Sequence, residues 1–136
     1  MPQLLELMRE FYQDVGMVFD EEVARSSLRK SFLDPGLASA YLILLDQDVA
    51  GYFVLTFCFS LEFHGRFALL DELYIREAFR RKSLGRAAVE FAGEICRKTG
   101  IKALRLETAH SNKMAQSLYE STGFRRDERY LFTKWM

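Results

Sequence analysis

Apolar residues at Leu4, Leu5, Met8, Phe11, Tyr12 and Val15 recur at the spacing of one helix face and stop at Gly16, which predicts an amphipathic helix over residues 3–15. Asp20 is placed to cap a second helix carrying Val23, Ala24, Leu28 and Phe32, which the turn Asp34-Pro35-Gly36 ends. The period then changes. Residues 41–45 and 50–59 are aromatic and branched runs on either side of Asp46-Gln47-Asp48, the pattern of an antiparallel hairpin. His64-Gly65 predicts the next turn, residues 67–75 a third strand, and residues 84–98 a helix that Gly100 closes. Ile101, Ala103, Leu104 and Leu106 predict a short strand, residues 112–122 a helix stopped by Gly123, and residues 130–135 a last strand. The order ααβββαβαβ puts antiparallel hairpins first and a strand-helix-strand unit later, so the expected fold is α/β, a mixed, partly antiparallel sheet with helices on both faces.

Composition narrows the picture. A chain of 136 residues, 49% hydrophobic and 14% aromatic, can fill one core but not two, so residues 1–136 read as a single domain. Nineteen basic and nineteen acidic residues cancel, which removes any general attraction to nucleic acid or to an anionic membrane and confines an anion site to a local patch. The apolar runs are far shorter than the ~18–20 residues of a membrane span, and the expected location is cytoplasmic. Cys58 and Cys96 sit in apolar segments without a second Cys or His at metal spacing, so both are expected as buried small hydrophobes, with no metal site.

The local patch is Arg80-Arg81-Lys82-Ser83-Leu84-Gly85-Arg86, a cationic turn between a strand and a helix. Free N–H groups and the positive end of the helix dipole favour an anion there, and Gly85 lets a bulky phosphate approach the backbone. Taken alone, the loop also fits a solvated helix start. It is neither Gly-x-x-x-x-Gly-Lys-Ser/Thr nor Gly-x-Gly-x-x-Gly, since Ser83, Gly85 and Ala88 supply one of that motif's three glycines.

Arg80 to Ala87, read as Arg-x-x-Ser-x-Gly-x-Ala after the strand Asp71-Glu72-Leu73-Tyr74-Ile75, resembles the acyl-CoA signature Arg/Gln-x-x-Gly-x-Gly/Ala of the GNAT N-acetyltransferase superfamily. The run from Asn112 to Phe124 is similar to that family's Asn-x-x-Ala-x-x-x-Tyr-x-x-x-Gly-Phe segment, and the two lie in the expected order over a resemblance spanning roughly residues 3–135. Ser83 departs from the first loop glycine, and the chain starts directly on its first helix where the family usually has a strand. The resemblance implies an acyl-CoA-dependent N-acetyltransferase that moves an acetyl group from acetyl-CoA directly to a primary amine of a small molecule or peptide in a ternary complex. It also implies pyrophosphate binding by the backbone of Arg81, Lys82, Ser83, Leu84, Gly85 and Arg86 after Arg80, and cofactor contacts from Asn112 and from Leu73, Tyr74 and Ile75. A backbone N–H near Tyr74 or Ile75 would meet charge growing on the acyl oxygen.

An amine must lose a proton before it attacks a thioester, to a carboxylate or to an ordered water chain leading to one, and Glu72 is the first candidate base. Asp71 points to the opposite face under strict alternation, though a bulge would exchange the two, and either acid also fits a plain pairing with an arginine. Tyr119 matches the family tyrosine that protonates the departing sulfur; a core aromatic with a tied hydroxyl is the other reading. Asn112 also fits a helix cap. In this family the first helices and the hairpin turn shape the acceptor pocket, which implicates Phe11, Tyr12, Phe19, Phe32 and residues 60–65, with Glu62 as a contact for a cationic amine. A homodimer joined through Tyr130, Leu131, Phe132 and Trp135 is expected by the same resemblance. The alternative function is a noncatalytic acyl-CoA-binding or interaction module.

Overall fold

Helices α1 (Pro2–Asp14) and α2 (Glu21–Leu33) precede a sheet of four strands, β1 (Ala38–Leu45), β2 (Asp48–Ser60), β3 (Gly65–Ile75) and β4 (Leu104–Leu106), in a computed structural model that describes all residues 1–136. Helix α3 (Leu84–Lys98) joins β3 to β4, and α4 (Lys113–Ser121) follows β4. The strands stand in the order β1-β2-β3-β4, antiparallel except for the β3–β4 pair, which is parallel. The mixed sheet with helices on both faces is as the sequence predicts. No helix is long and apolar enough to cross a membrane.

Alternating side chains divide the core into two layers. Leu4, Leu5, Leu7 and Met8 of α1 and Ala24 and Leu28 of α2 pack on Tyr52 and Tyr74 on one face. Ala88, Val89 and Ala92 of α3 pack on Phe53, Leu55 and Leu70 on the other, with Tyr119 and Phe124 beside them. The predicted caps form: the Asp20 carboxylate accepts from the Val23 N–H, and the Asn112 side chain from the Ala115 N–H, each at 3.1 Å.

One irregularity in β3 sets the position of everything near it. Val54 pairs with Glu72 but Leu55 pairs with Leu70, so Asp71 is an extra residue bulged out of the ladder. Leu70 and Leu73 therefore both face α3, while Glu72 and Tyr74 face α1 and α2.

Two sequence expectations are corrected. Residues 130–135 form no strand, and Tyr130, Leu131, Phe132 and Trp135 are 77–91% exposed. The reason is the length of β4: three residues offer a neighbouring strand too few ladder bonds to offset the cost of ordering it. The chain just before is fixed by side chains instead, through Arg105–Asp127 at 3.3 Å and Arg129–Glu62 at 2.5 Å. Cys58 is exposed rather than buried, whereas Cys96 is buried as expected.

At Gly51 the β3 backbone leaves no room for a side chain. A Cβ there would lie 2.0 Å from the Tyr74 carbonyl oxygen, a backbone atom that cannot swing away. Gly51→Ala should cost about 3 kcal/mol or more, beyond the usual range for overpacking. Chemical denaturation reads this directly, and a loss below 1 kcal/mol would show that β3 can shift.

Candidate functional site

The parallel pairing of β3 and β4 covers only Ala68–Leu104, Leu69–Arg105 and Leu70–Leu106. From Asp71 and Glu107 onward the strands part, leaving an unpaired backbone edge on β3. The Arg76 N–H donates to the Ala50 carbonyl at 2.8 Å, so alternation along the antiparallel ladder turns Glu72 and Tyr74 backbone groups toward β2 and those of Leu73 and Ile75 toward the gap. Of the three backbone candidates, Leu73 and Ile75 face the gap and Tyr74 does not.

Glu72 lies on the α1/α2 face beside this gap. Its two oxygens accept hydrogen bonds from the Tyr12 hydroxyl at 2.6 Å and the Tyr52 hydroxyl at 2.8 Å. Burial raises the Glu72 pKa above the usual carboxylate range, the two phenols pull it down, and neighbouring Asp71 pushes it up, with a net rise. Burial and then the Glu72 charge hold both phenols well above their ordinary values, so they stay protonated donors. Asp71 is likewise raised, by burial and then by Glu107 across the gap. Neither Asp71 nor Glu72 pairs with an arginine, which leaves the simple ion-pair reading of these acids without a partner.

Tyr119 stands on the opposite face, on α4, edge-to-face with Phe124 at 5.9 Å between ring centroids. Burial raises its pKa, and its hydroxyl takes no hydrogen bond from the protein, so it is not tied as a core tyrosine would be. Gln116, which the sequence reading missed, is the buried polar residue of α4: its amide donates to the Ala109 and His110 carbonyls at 2.9 and 3.0 Å and its oxygen accepts from Arg126 at 3.0 Å. It fastens the loop entering α4 and so fixes the helix that carries Tyr119. An isolated glutamine gives no sequence signal for such a role.

The basic loop divides into anchored and free cations. Arg80 donates to the Ile75 carbonyl at 2.9 Å and bridges to Asp14 at 3.0 Å, and Arg86 donates to the Ser121 hydroxyl at 2.7 Å. Arg81 and Lys82 are exposed and form no ion pair. The bond from Ala87 N–H to the Ser83 carbonyl at 3.1 Å begins the α3 ladder, and the Ser83 side chain makes no cap. Backbone donors from Arg81 to Arg86 therefore remain open to an anion. Gly85 leaves space as expected: a Cβ there would meet only Leu118, at 3.5 Å. This donor set fits a pyrophosphate, and the nearby gap is open to an extended thioester arm. Asn112 uses its oxygen in the cap and is exposed.

Two acceptor-side candidates are not brought to this centre. Glu62 lies in the β2–β3 turn, bonded to Arg129, and Glu72 is seven positions past the start of β3, about 23 Å away at a rise of ~3.3 Å per residue. Phe32 is half exposed at the end of α2 and lies outside the cluster around Tyr52 and Tyr74. Phe11, Tyr12 and Phe19 do gather there, with ring centroids 5.8 Å and 5.4 Å apart.

A parallel strand pair that opens beside a donor-rich helix start offers room for an extended arm and backbone donors for an anion at its end. The comparisons make that specific: residues 1–124 match the model of the acetyltransferase (GNAT) family, and the chain belongs to that family. It is 28% identical to the uncharacterized N-acetyltransferase YhfO of Bacillus subtilis over 128 residues, 91% of this chain and 80% of that protein. It is 25% identical to the thialysine N-epsilon-acetyltransferase of Caenorhabditis elegans, over 90% of this chain and 75% of that one. Among solved structures it resembles an integron cassette protein from the mobile metagenome of Cole Harbour Salt Marsh, at TM-score 0.88 and 31% identity, covering 99% of this chain and 84% of that one. The protein is an acyl-CoA-dependent acetyltransferase, and enzymes of this family take acetyl-CoA as co-substrate.

Ser83 enters α3 at φ 60°, and Arg81 has φ 65°, both in the left-handed region that costs an L-residue about 1–2 kcal/mol. Ser83→Gly removes that strain but loosens the unfolded chain by about 0.4–1 kcal/mol, for a net gain of about 0.5–1 kcal/mol. Thermal unfolding should show a higher Tm; a lower one would mean the Ser83 hydroxyl holds the loop.

Proposed function

We propose that this enzyme transfers acetyl directly to a primary amine in a ternary complex, with Glu72 as base and Tyr119 as acid. The observation that carries the reading is the gap between β3 and β4, with a proton acceptor on one face and an untied proton donor on the other. Open N–H groups from Arg81 to Arg86, with the Arg81 and Lys82 charges, receive the pyrophosphate, assisted by Asn112. Acetyl-CoA brings an activated acyl group bound to a good thiolate leaving group. Glu72, its affinity for a proton raised by burial, takes the proton from the ammonium and frees the nitrogen lone pair. Backbone N–H groups of Leu73 and Ile75 meet charge on the acyl oxygen as the C–N bond forms; Tyr119 gives its proton to the sulfur as the C–S bond breaks, and the second proton that the nitrogen loses on becoming an amide returns to the Tyr119 phenolate. A primary amine as acceptor draws support from the thialysine enzyme among the relatives.

Thiol release from acetyl-CoA with thialysine, polyamines, aminoglycosides and lysine peptides tests the activity. Release with at least one amine is expected; coenzyme A binding without release on any amine would favour a noncatalytic module. Tyr119→Phe should lower kcat by about 10²–10⁴ while leaving coenzyme A binding and Tm nearly unchanged, since the hydroxyl has no protein partner. Unaltered turnover would remove Tyr119 as the acid.

The dimer belongs to the same proposal. Tyr130, Leu131, Phe132 and Trp135 expose an apolar run that the chain itself leaves uncovered. Light scattering should give twice 15.9 kDa, and removal of residues 130–136 should return it to one chain. A single-chain mass for the intact protein would refute the dimer.

A further inference from the structure

The Glu72 carboxylate is held from two elements far apart in sequence. Tyr12 reaches it from the last turn of α1 and Tyr52 from the middle of β2, each donating to a different oxygen, at 2.6 and 2.8 Å. Tyr52 is fully buried and Tyr12 is wedged among Phe11 and Phe19, so neither ring is free to leave. A carboxylate has about four acceptor positions, and two donors leave each oxygen one lone pair for an incoming proton. The remaining surroundings offer no competing donor. α2 brings Ala24 and Leu28 to this face. On β3 itself the neighbours are Asp71, with Glu107 beyond it, and Tyr74, whose own charged neighbours Glu10, Asp14 and Arg80 are engaged with one another and with Arg76.

We propose that Tyr12 and Tyr52 are positioning residues of the acetyl transfer: their hydroxyls orient the Glu72 carboxylate and keep it anionic, and through Tyr12 the base depends on the docking of α1. This rests on Glu72 being the base. Burial and Asp71 both favour the neutral acid, and the phenols oppose them. Without either donor the acid form gains, and a higher pH is needed to ionise the group.

The test is a titration of carboxyl-¹³C-glutamate protein by NMR, with Glu72→Gln assigning the resonance, in the wild type, Tyr12→Phe and Tyr52→Phe. Both phenylalanine variants keep the ring and should fold, which circular dichroism checks. The Glu72 midpoint should rise by about one pH unit in each, leaving about tenfold less anion at any pH below both midpoints. A midpoint that stays put in a folded variant removes that tyrosine from the proposal. Turnover of acetyl-CoA with thialysine supplies the second arm: kcat of the variants should fall about tenfold on the acid side and recover at higher pH, which a merely structural loss would not do. Glu72→Gln separates the two ideas. If it keeps wild-type kcat, Glu72 is not the base, whatever the midpoints do; if it abolishes turnover and the variants' acid limbs do not move, the positioning role fails while the base stands.

Discussion

The single extra residue at Asp71 is the constraint on which the site depends. In a regular β3, Leu70 and Glu72 would share one face, and either the leucine would leave the α3 core or the acid would be driven into it. The bulge lets Leu70 and Leu73 both pack toward α3 while Glu72 and Tyr74 turn toward α1 and α2. It also falls where β4 stops pairing, at the point where the gap between β3 and β4 begins. One local irregularity thus aims the acid and helps open the gap, while the hydrophobic alternation on both sides of it stays intact.

Charge pairing explains how a chain with no net charge keeps a cationic loop. Arg76 grips Glu10 through two nitrogens at 3.0 and 3.1 Å and also meets the Val49 carbonyl, and Arg80 ties Asp14 to the end of β3. An exposed pair such as Arg80–Asp14 is worth only about 0.2–1 kcal/mol, so its effect is geometric more than stabilising, while Arg76–Glu10 is half-buried. They fasten α1 to the strand end and to the loop that follows. The arginines nearest the acceptor face are thereby neutralised, and Arg81 and Lys82 are left as the free cations of the loop. The same α1 carries Tyr12, so one helix is tied both to the basic loop and to Glu72.

What could be read in the sequence was whatever local chemistry decides. The Asp20 and Asn112 caps, the helix faces, the donor-rich loop and the family motifs all depend on residues within a few positions of one another. The Tyr12–Glu72–Tyr52 cluster does not: its members lie 60 and 20 residues apart, and nothing near Glu72 in the chain announces its partners. The aromatic run at residues 130–135 failed as a strand for the converse reason. Its propensity is strong, but a strand also needs an edge long enough to pair with, and three-residue β4 supplies none. Glu62 has the charge to hold a cationic amine, but the hairpin carries it to the far end of β3, onto Arg129.

The left-handed residues of the loop show the same competition between fold and function. Arg81 and Ser83 lie in a region that glycine occupies without cost, and a glycine at 83 would also match the family pattern. An ordinary helix start could have used the serine hydroxyl as a cap, yet here it caps nothing and the amides stay open. A cap would satisfy the same donors that a pyrophosphate needs. Leaving them to water costs the free protein about 0.5–2 kcal/mol relative to a capped helix, and an anion bound there would offset it by taking up those hydrogen bonds. The strain and the missing cap act in the same direction: the helix entrance is less stable than a capped one with glycine at 83, and under the proposed donor binding a ligand would add to the loop's stability.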